Sequence, residues 1–91
     1  MTRMALKGNA TTTGGVILEG DEASLDNGRA IARHMDLASC GRCGKFGPIF
    51  GTAHTFGLGN THGVLDHDVV MCGCPPGTNR VIANSTMDYV A

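Results

Sequence analysis

The chain has 91 residues and a formal net charge of −1, from seven Lys and Arg against eight Asp and Glu. That length supports a single domain over 1–91 and excludes two. The lack of a basic excess argues against a nucleic-acid partner, and no apolar run approaches the ~20 residues a membrane-spanning helix needs.

Aromatics are scarce, with three Phe, one Tyr and no Trp, while glycine reaches 14. A core this poor in large rings calls for another source of stability, and four cysteines offer one. The segment Met1–Lys7 has no apolar stretch of the signal-peptide kind, so the protein is expected to be cytoplasmic when made. In that compartment close cysteine pairs bind metal or do redox work more often than they form disulfides.

In chain order, Gly8–Thr13 leads through Gly14 and Gly15 into an apolar strand at Val16–Leu18. Asn27-Gly28 signals a hairpin, because a type I′ turn needs positive φ at both positions. Arg29–Asp36 is the best helix candidate, barely two turns long, and reads equally well as a strand. Met35–Cys40 leads through a Gly-rich stretch and Gly47-Pro48 into Ile49-Phe50. His67–Cys72 leads through Pro75–Asn79 into Arg80–Ala83. Short runs of β-formers between turn residues predict an all-β fold of many short strands.

Three of these segments align. Asn9, Asp36 and Asp68 each stand four or five residues before a loop apex that an apolar strand follows. The interval is 27 residues from Asn9 to Asp36 and 32 from Asp36 to Asp68. The expectation is a pseudo-threefold arrangement of three β-lobes whose loops converge at one end.

Cys40-Gly-Arg-Cys43 and Cys72-Gly-Cys74 sit at the apices of the second and third segments. Two short chelating loops with four thiolates suit a tetrahedral zinc site, one ion per chain and structural rather than catalytic. Gly41 and Gly73 let the backbone curl around the ion, and Arg33, Arg42 and Lys45 would offset its thiolate charge. Buried free thiols, a redox pair and disulfides are the other readings of the same residues. The first segment has Thr13 where the others have cysteine, so two lobes would build the site. His54, His62 and His67, in the loop between the pairs, are alternate ligands, and Asp66 and Asp68 flank His67 as a potential outer shell. His34 is a weaker alternate.

The ordered set Asn9-x-Thr11-x-x-Gly-Gly15, Asn27-Gly-x-x-Ile-Ala-Arg33, Asp36-x-x-x-Cys40-x-x-Cys43, Gly47-Pro-Ile49 and Asp68-x-x-x-Cys72-x-Cys74-Pro75 resembles a PAAR-domain protein, from about Ala5 to Val90. The resemblance implies a small conical fold, metal-stapled at its tip by zinc. It implies a base seated on a trimeric VgrG-like spike of a type VI secretion system, one chain per trimer. It further implies export by that machine, transient contact with a target membrane, and delivery of separate effector chains. Many members carry a histidine where this chain has Thr13, and members hold zinc mostly with histidines and a cysteine.

Two other function classes fit parts of the sequence. A zinc-ribbon-like binding module for nucleic acid or protein would use the cysteine pairs, against the charge balance and the few aromatics. A metalloenzyme would use His54, His62 and His67 with Asp66 or Asp68, yet no H-E-x-x-H spacing occurs and so short a chain leaves little room for a pocket. A non-enzymatic role is the expectation.

Overall fold

The computed structural model describes residues 2–26, 28–58, 61–75, 77–85 and 88–89. No helix occurs among them. The strands are β1 (Thr2–Arg3), β2 (Asp21–Asp26), β3 (Arg29–Ile31), β4 (Leu37–Ser39), β5 (Phe46–Phe50), β6 (Ala53–Leu58), β7 (Thr61–Gly63), β8 (Val69–Val70) and β9 (Asp88–Tyr89). Arg29–Asp36 is thus the strand β3 followed by a turn, not a helix. Ala30, Ile31 and Ala32 are all buried there, a continuous apolar run that no two-turn helix would cover.

Each lobe begins with a four-residue turn, Leu6–Asn9, Arg33–Asp36 or Leu65–Asp68. The last residue donates its N–H to the carbonyl of the first at 3.0, 3.0 and 3.1 Å. The chain then rises, crosses an apex and returns. Ile17, Ile49 and Val81 on the returning segments each donate to Asn9, Asp36 and Asp68 in turn, always at 2.9 Å. The carbonyls of Ile17, Ile49 and Val81 in turn accept from Gly8, Met35 and His67 at 2.9, 2.8 and 2.8 Å. Identical bonding at three places gives the expected pseudo-threefold repeat.

The lobes also bond to one another in a closed cycle. Ile17 pairs with Ala38, Ile49 with Val70, and Val81 with Thr11. The cycle returns to its start, so the ring leaves none of its rising or returning segments as an open edge. Alternation along an extended chain explains which side chains fill it. Val16 and Leu18 are 37% and 38% exposed while Ile17 between them is 1% exposed. Ile49 and Val81 repeat the pattern, at 0% each. Burying one such side chain stabilises the fold by roughly 1.5–3 kcal/mol. Ala5, Ala32 and Val64, each four residues before its lobe's Asn or Asp, fill a second buried layer.

Three two-stranded arms lie on the turn side. β2 pairs β3, β6 pairs β7, and β9 pairs β1, all antiparallel. Each arm joins the next turn by an equivalent bond: Lys7 N–H to Ala30 O at 2.8 Å, His34 N–H to His62 O at 2.7 Å, and Asp66 N–H to Arg3 O at 2.9 Å. The third arm is therefore made by the two ends of the chain where the others are hairpins. In the β2–β3 hairpin Asp26 faces Arg29 and Gly28 has φ of 80°, as the sequence predicts for this turn. Asn27 lies outside the described residues, as do Pro76 of the third apex and Val90.

Candidate metal centre

The apex loops Thr12–Gly15, Cys40–Lys45 and Cys72–Asn79 meet at the end opposite the arms. Cys40 and Cys72 follow their turns at the same distance and are buried; Cys43 and Cys74 stand at intermediate exposure. The four Sγ atoms all lie within 4.8 Å of one another, and Cys40 and Cys74 are 3.9 Å apart. A tetrahedral ion with sulfur ligands at ~2.3 Å requires sulfurs about 3.8 Å apart. The donor set therefore fits a soft or borderline divalent cation held by four thiolates. All four are free thiols.

The backbone explains how two loops reach one point. Gly73 has φ of 100°, a left-handed conformation that turns the chain between Cys72 and Cys74. Gly41 is needed for a different reason: a Cβ there would lie 2.0 Å from the Thr13 carbonyl oxygen. The first lobe thus presses against the metal loop of the second.

The electrostatics of the cluster differ from thiol to thiol. Cys40 is lowered to about 6, first because the Thr13 hydroxyl bonds its sulfur and then because the Cys43 N–H does. Cys74 is pushed up to about 12, first by its thiol contact with Cys43 and then by burial. Crowded sulfurs resist sharing four negative charges without a cation, so metal capture here would release protons.

The structure brings Cys40, Cys43, Cys72 and Cys74 together and leaves the histidines elsewhere. His54 and His62 lie in strands β6 and β7, where the sequence reading has a loop. Their rings stand 4.6 Å apart, and His62 stacks on His34 at 4.5 Å. Gly51 bonds to a nitrogen of each of these last two rings. Its N–H donates to His34 Nδ1 at 3.0 Å, and its carbonyl accepts from His62 Nε2 at 2.8 Å. His67 is exposed and pairs with Asp66 at 2.8 Å. Asp68 instead caps its own turn, accepting from Leu65 N–H and from Thr52. Arg33 also lies away from the cysteines, its guanidinium bonded to Asp36 at 3.2 Å, because a residue three before an Asp in a tight turn reaches that carboxylate first.

Sequence reasoning passed over Asn79. It is 1% exposed, donates to Ser39 O at 3.1 Å and accepts from the Thr13 hydroxyl at 2.8 Å. The available signal was its place just before the returning strand, where the other lobes have Gly15 and Gly47.

The family model for the PAAR motif matches residues 7–76. That span holds the second and third turns, the first turn from Lys7 on, and the four cysteines, while Val81 of the ring lies beyond it. No curated protein and no solved structure matches the chain significantly.

Proposed function

The chain belongs to the PAAR-motif family, and we propose from that premise that it is a non-enzymatic tip that caps and sharpens the VgrG-type spike of a type VI secretion system. The observation that carries this reading is the closed ring of three equivalent lobes. A trimeric spike ends in three equivalent surfaces, and one pseudo-threefold chain can meet all three at once. The stoichiometry is then one chain per trimer. The three arms form the seat, and the cysteine apex leads.

In this proposal Cys40, Cys43, Cys72 and Cys74 hold one structural Zn2+. The ion ties loops distant in sequence, so opening the apex under load means breaking metal–ligand bonds. The protein is made in the cytoplasm, leaves with the spike, touches the target membrane briefly, and works beside effectors carried on separate chains.

The test pairs elemental analysis of purified protein with co-elution on a trimeric spike protein. One zinc per chain and one chain per trimer is the expected result. Zinc without spike binding would shift the function to a zinc-ribbon-like module. A metal-free protein with its thiols oxidised in pairs would defeat the stapled-tip mechanism.

A further inference from the structure

The first lobe supplies no cysteine, yet its apex is hydrogen-bonded to both other apices beside the four thiols. Thr13 stands at the place that Cys40 and Cys72 hold in the other lobes. Its hydroxyl oxygen accepts the Gly41 N–H at 3.1 Å. That same hydroxyl has one proton and two acceptors in reach, Asn79 Oδ1 at 2.8 Å and Cys40 Sγ at 3.5 Å. Thr11 Oγ1 lies 3.4 Å away as a further partner. Asn79 in turn holds the Ser39 carbonyl, next to Cys40, at 3.1 Å. One side chain of lobe one therefore touches the metal loop of lobe two and the apex of lobe three.

We propose that Thr13 is a positioning residue of the metal centre: it replaces a ligand from the first lobe with a hydrogen bond that aims the Cys40 sulfur and locks the three apices together. Outer partners of this kind orient a ligand atom and restrict its rotamers before the ion arrives. A thiolate bound to a cation keeps lone pairs, and a neighbouring hydroxyl donating to one of them fixes the direction of the others. The single hydroxyl proton suits this role, since rotation about the C–O bond can aim it at Asn79 Oδ1 or at the Cys40 sulfur. The inference rests on the metal-centre reading and adds a determinant of affinity to it.

The test compares Thr13→Val, which keeps the shape and removes the hydroxyl, with Thr13→Ser, which keeps the hydroxyl. Zinc affinity is measured by competition with a chromophoric chelator, and the thiolate-to-metal charge-transfer band is recorded with Co2+. Thr13→Val should bind zinc about 10–100-fold more weakly and shift the Co2+ band, while Thr13→Ser restores both. Thr13→Ala serves in place of the valine variant if that one does not fold. Wild-type affinity in the hydroxyl-free variant overturns the inference and leaves the metal centre standing. Weaker binding with an unmoved Co2+ band also overturns it, since that pattern reports stability alone. Wild-type protein that binds neither ion removes both readings.

Discussion

The sulfurs of Cys40 and Cys74 lie 3.9 Å apart although 34 residues separate them in the chain. Everything between them, including β5, the β6–β7 arm and the third turn, is a loop that one ion would close. Metal bound only by the folded form adds its binding free energy to stability.

Metal removal should therefore destabilise the protein strongly. A chelator is expected to lower the melting temperature by more than about 10 °C, given that 1 kcal/mol moves a domain of this size by about 4–8 °C. Cys72→Ser should lower folding yield and melt near the chelated wild type, with a substoichiometric metal content. Thermal melts of both proteins with and without chelator check this; identical wild-type curves would sink it.

Met35 and His67 test the three turns. Their φ angles are 73° and 70°, and the equivalent residue of the first lobe is Gly8 with φ of 90°. Left-handed backbone costs a non-glycine residue roughly 1–2 kcal/mol, partly offset by the extra freedom glycine gives the unfolded chain. Met35 is 53% exposed, so its side chain contributes little packing to lose. Met35→Gly should raise the melting temperature by a few degrees, about 2–6 °C, whereas Gly8→Ala, where a Cβ meets no atom within 4 Å, should lower it by a similar amount. A Met35→Gly protein that melts lower than wild type would contradict the strain argument.

These turns also show how much the sequence could reveal. The spacing of Asn9, Asp36 and Asp68 was legible because each amide or carboxylate oxygen caps its own turn, a local job that needs one residue type at one place. The cysteine site was legible because chelating pairs are local as well. The position of the histidines was not. His54 and His62 are set by the long β6–β7 hairpin, whose register carries an irregularity between Ala53 and Gly57 that alternation alone does not reveal. Asn79 was missed for the same reason: its partners Thr13 and Ser39 come from other lobes, and no local pattern records them.

Acid should weaken the fold through His34. Its pKa is lowered, first by burial and then by the neighbouring His62 and His54, with Asp68 opposing. The folded state therefore binds fewer protons than the unfolded one. The stability this group contributes is fully present above the unfolded value near 6.5 and is lost as pH falls through the lower folded value. Protonation at Nδ1 also removes the acceptor that Gly51 N–H uses. The drop in melting temperature from pH 7.5 to 5 should be smaller in His34→Asn, whose Oδ1 can still accept that bond but does not titrate. Comparing the two proteins cancels the proton release of the thiols, which is common to both. Equal drops would show that His34 does not carry the effect.

Asp68 offers a sharper test, because the fold contains its own control. Asp68 Oδ2 accepts from Leu65 N–H at 2.7 Å and Thr52 N–H at 2.9 Å, and Oδ1 accepts from the Thr52 hydroxyl at 2.6 Å. Asn9, at the equivalent place, does the same work with an amide: its Oδ1 accepts from Leu6 N–H and Asn84 N–H, both at 2.9 Å. In Asp68→Asn the amide oxygen can keep both N–H donors, and the new NH2 can donate to a Thr52 hydroxyl that rotates to accept. That exchange should cost only about 1 kcal/mol. Asp68→Ala strands two backbone donors and a hydroxyl beside a nearly buried site, which should cost about 3 kcal/mol or more and lower the melting temperature by roughly 12–24 °C. Denaturant melts of the two variants decide between a capping role and a charge role. If Asn proves as costly as Ala, the negative charge rather than the cap holds the third turn, and the equivalence with Asn9 fails at the level of energy although it holds in geometry.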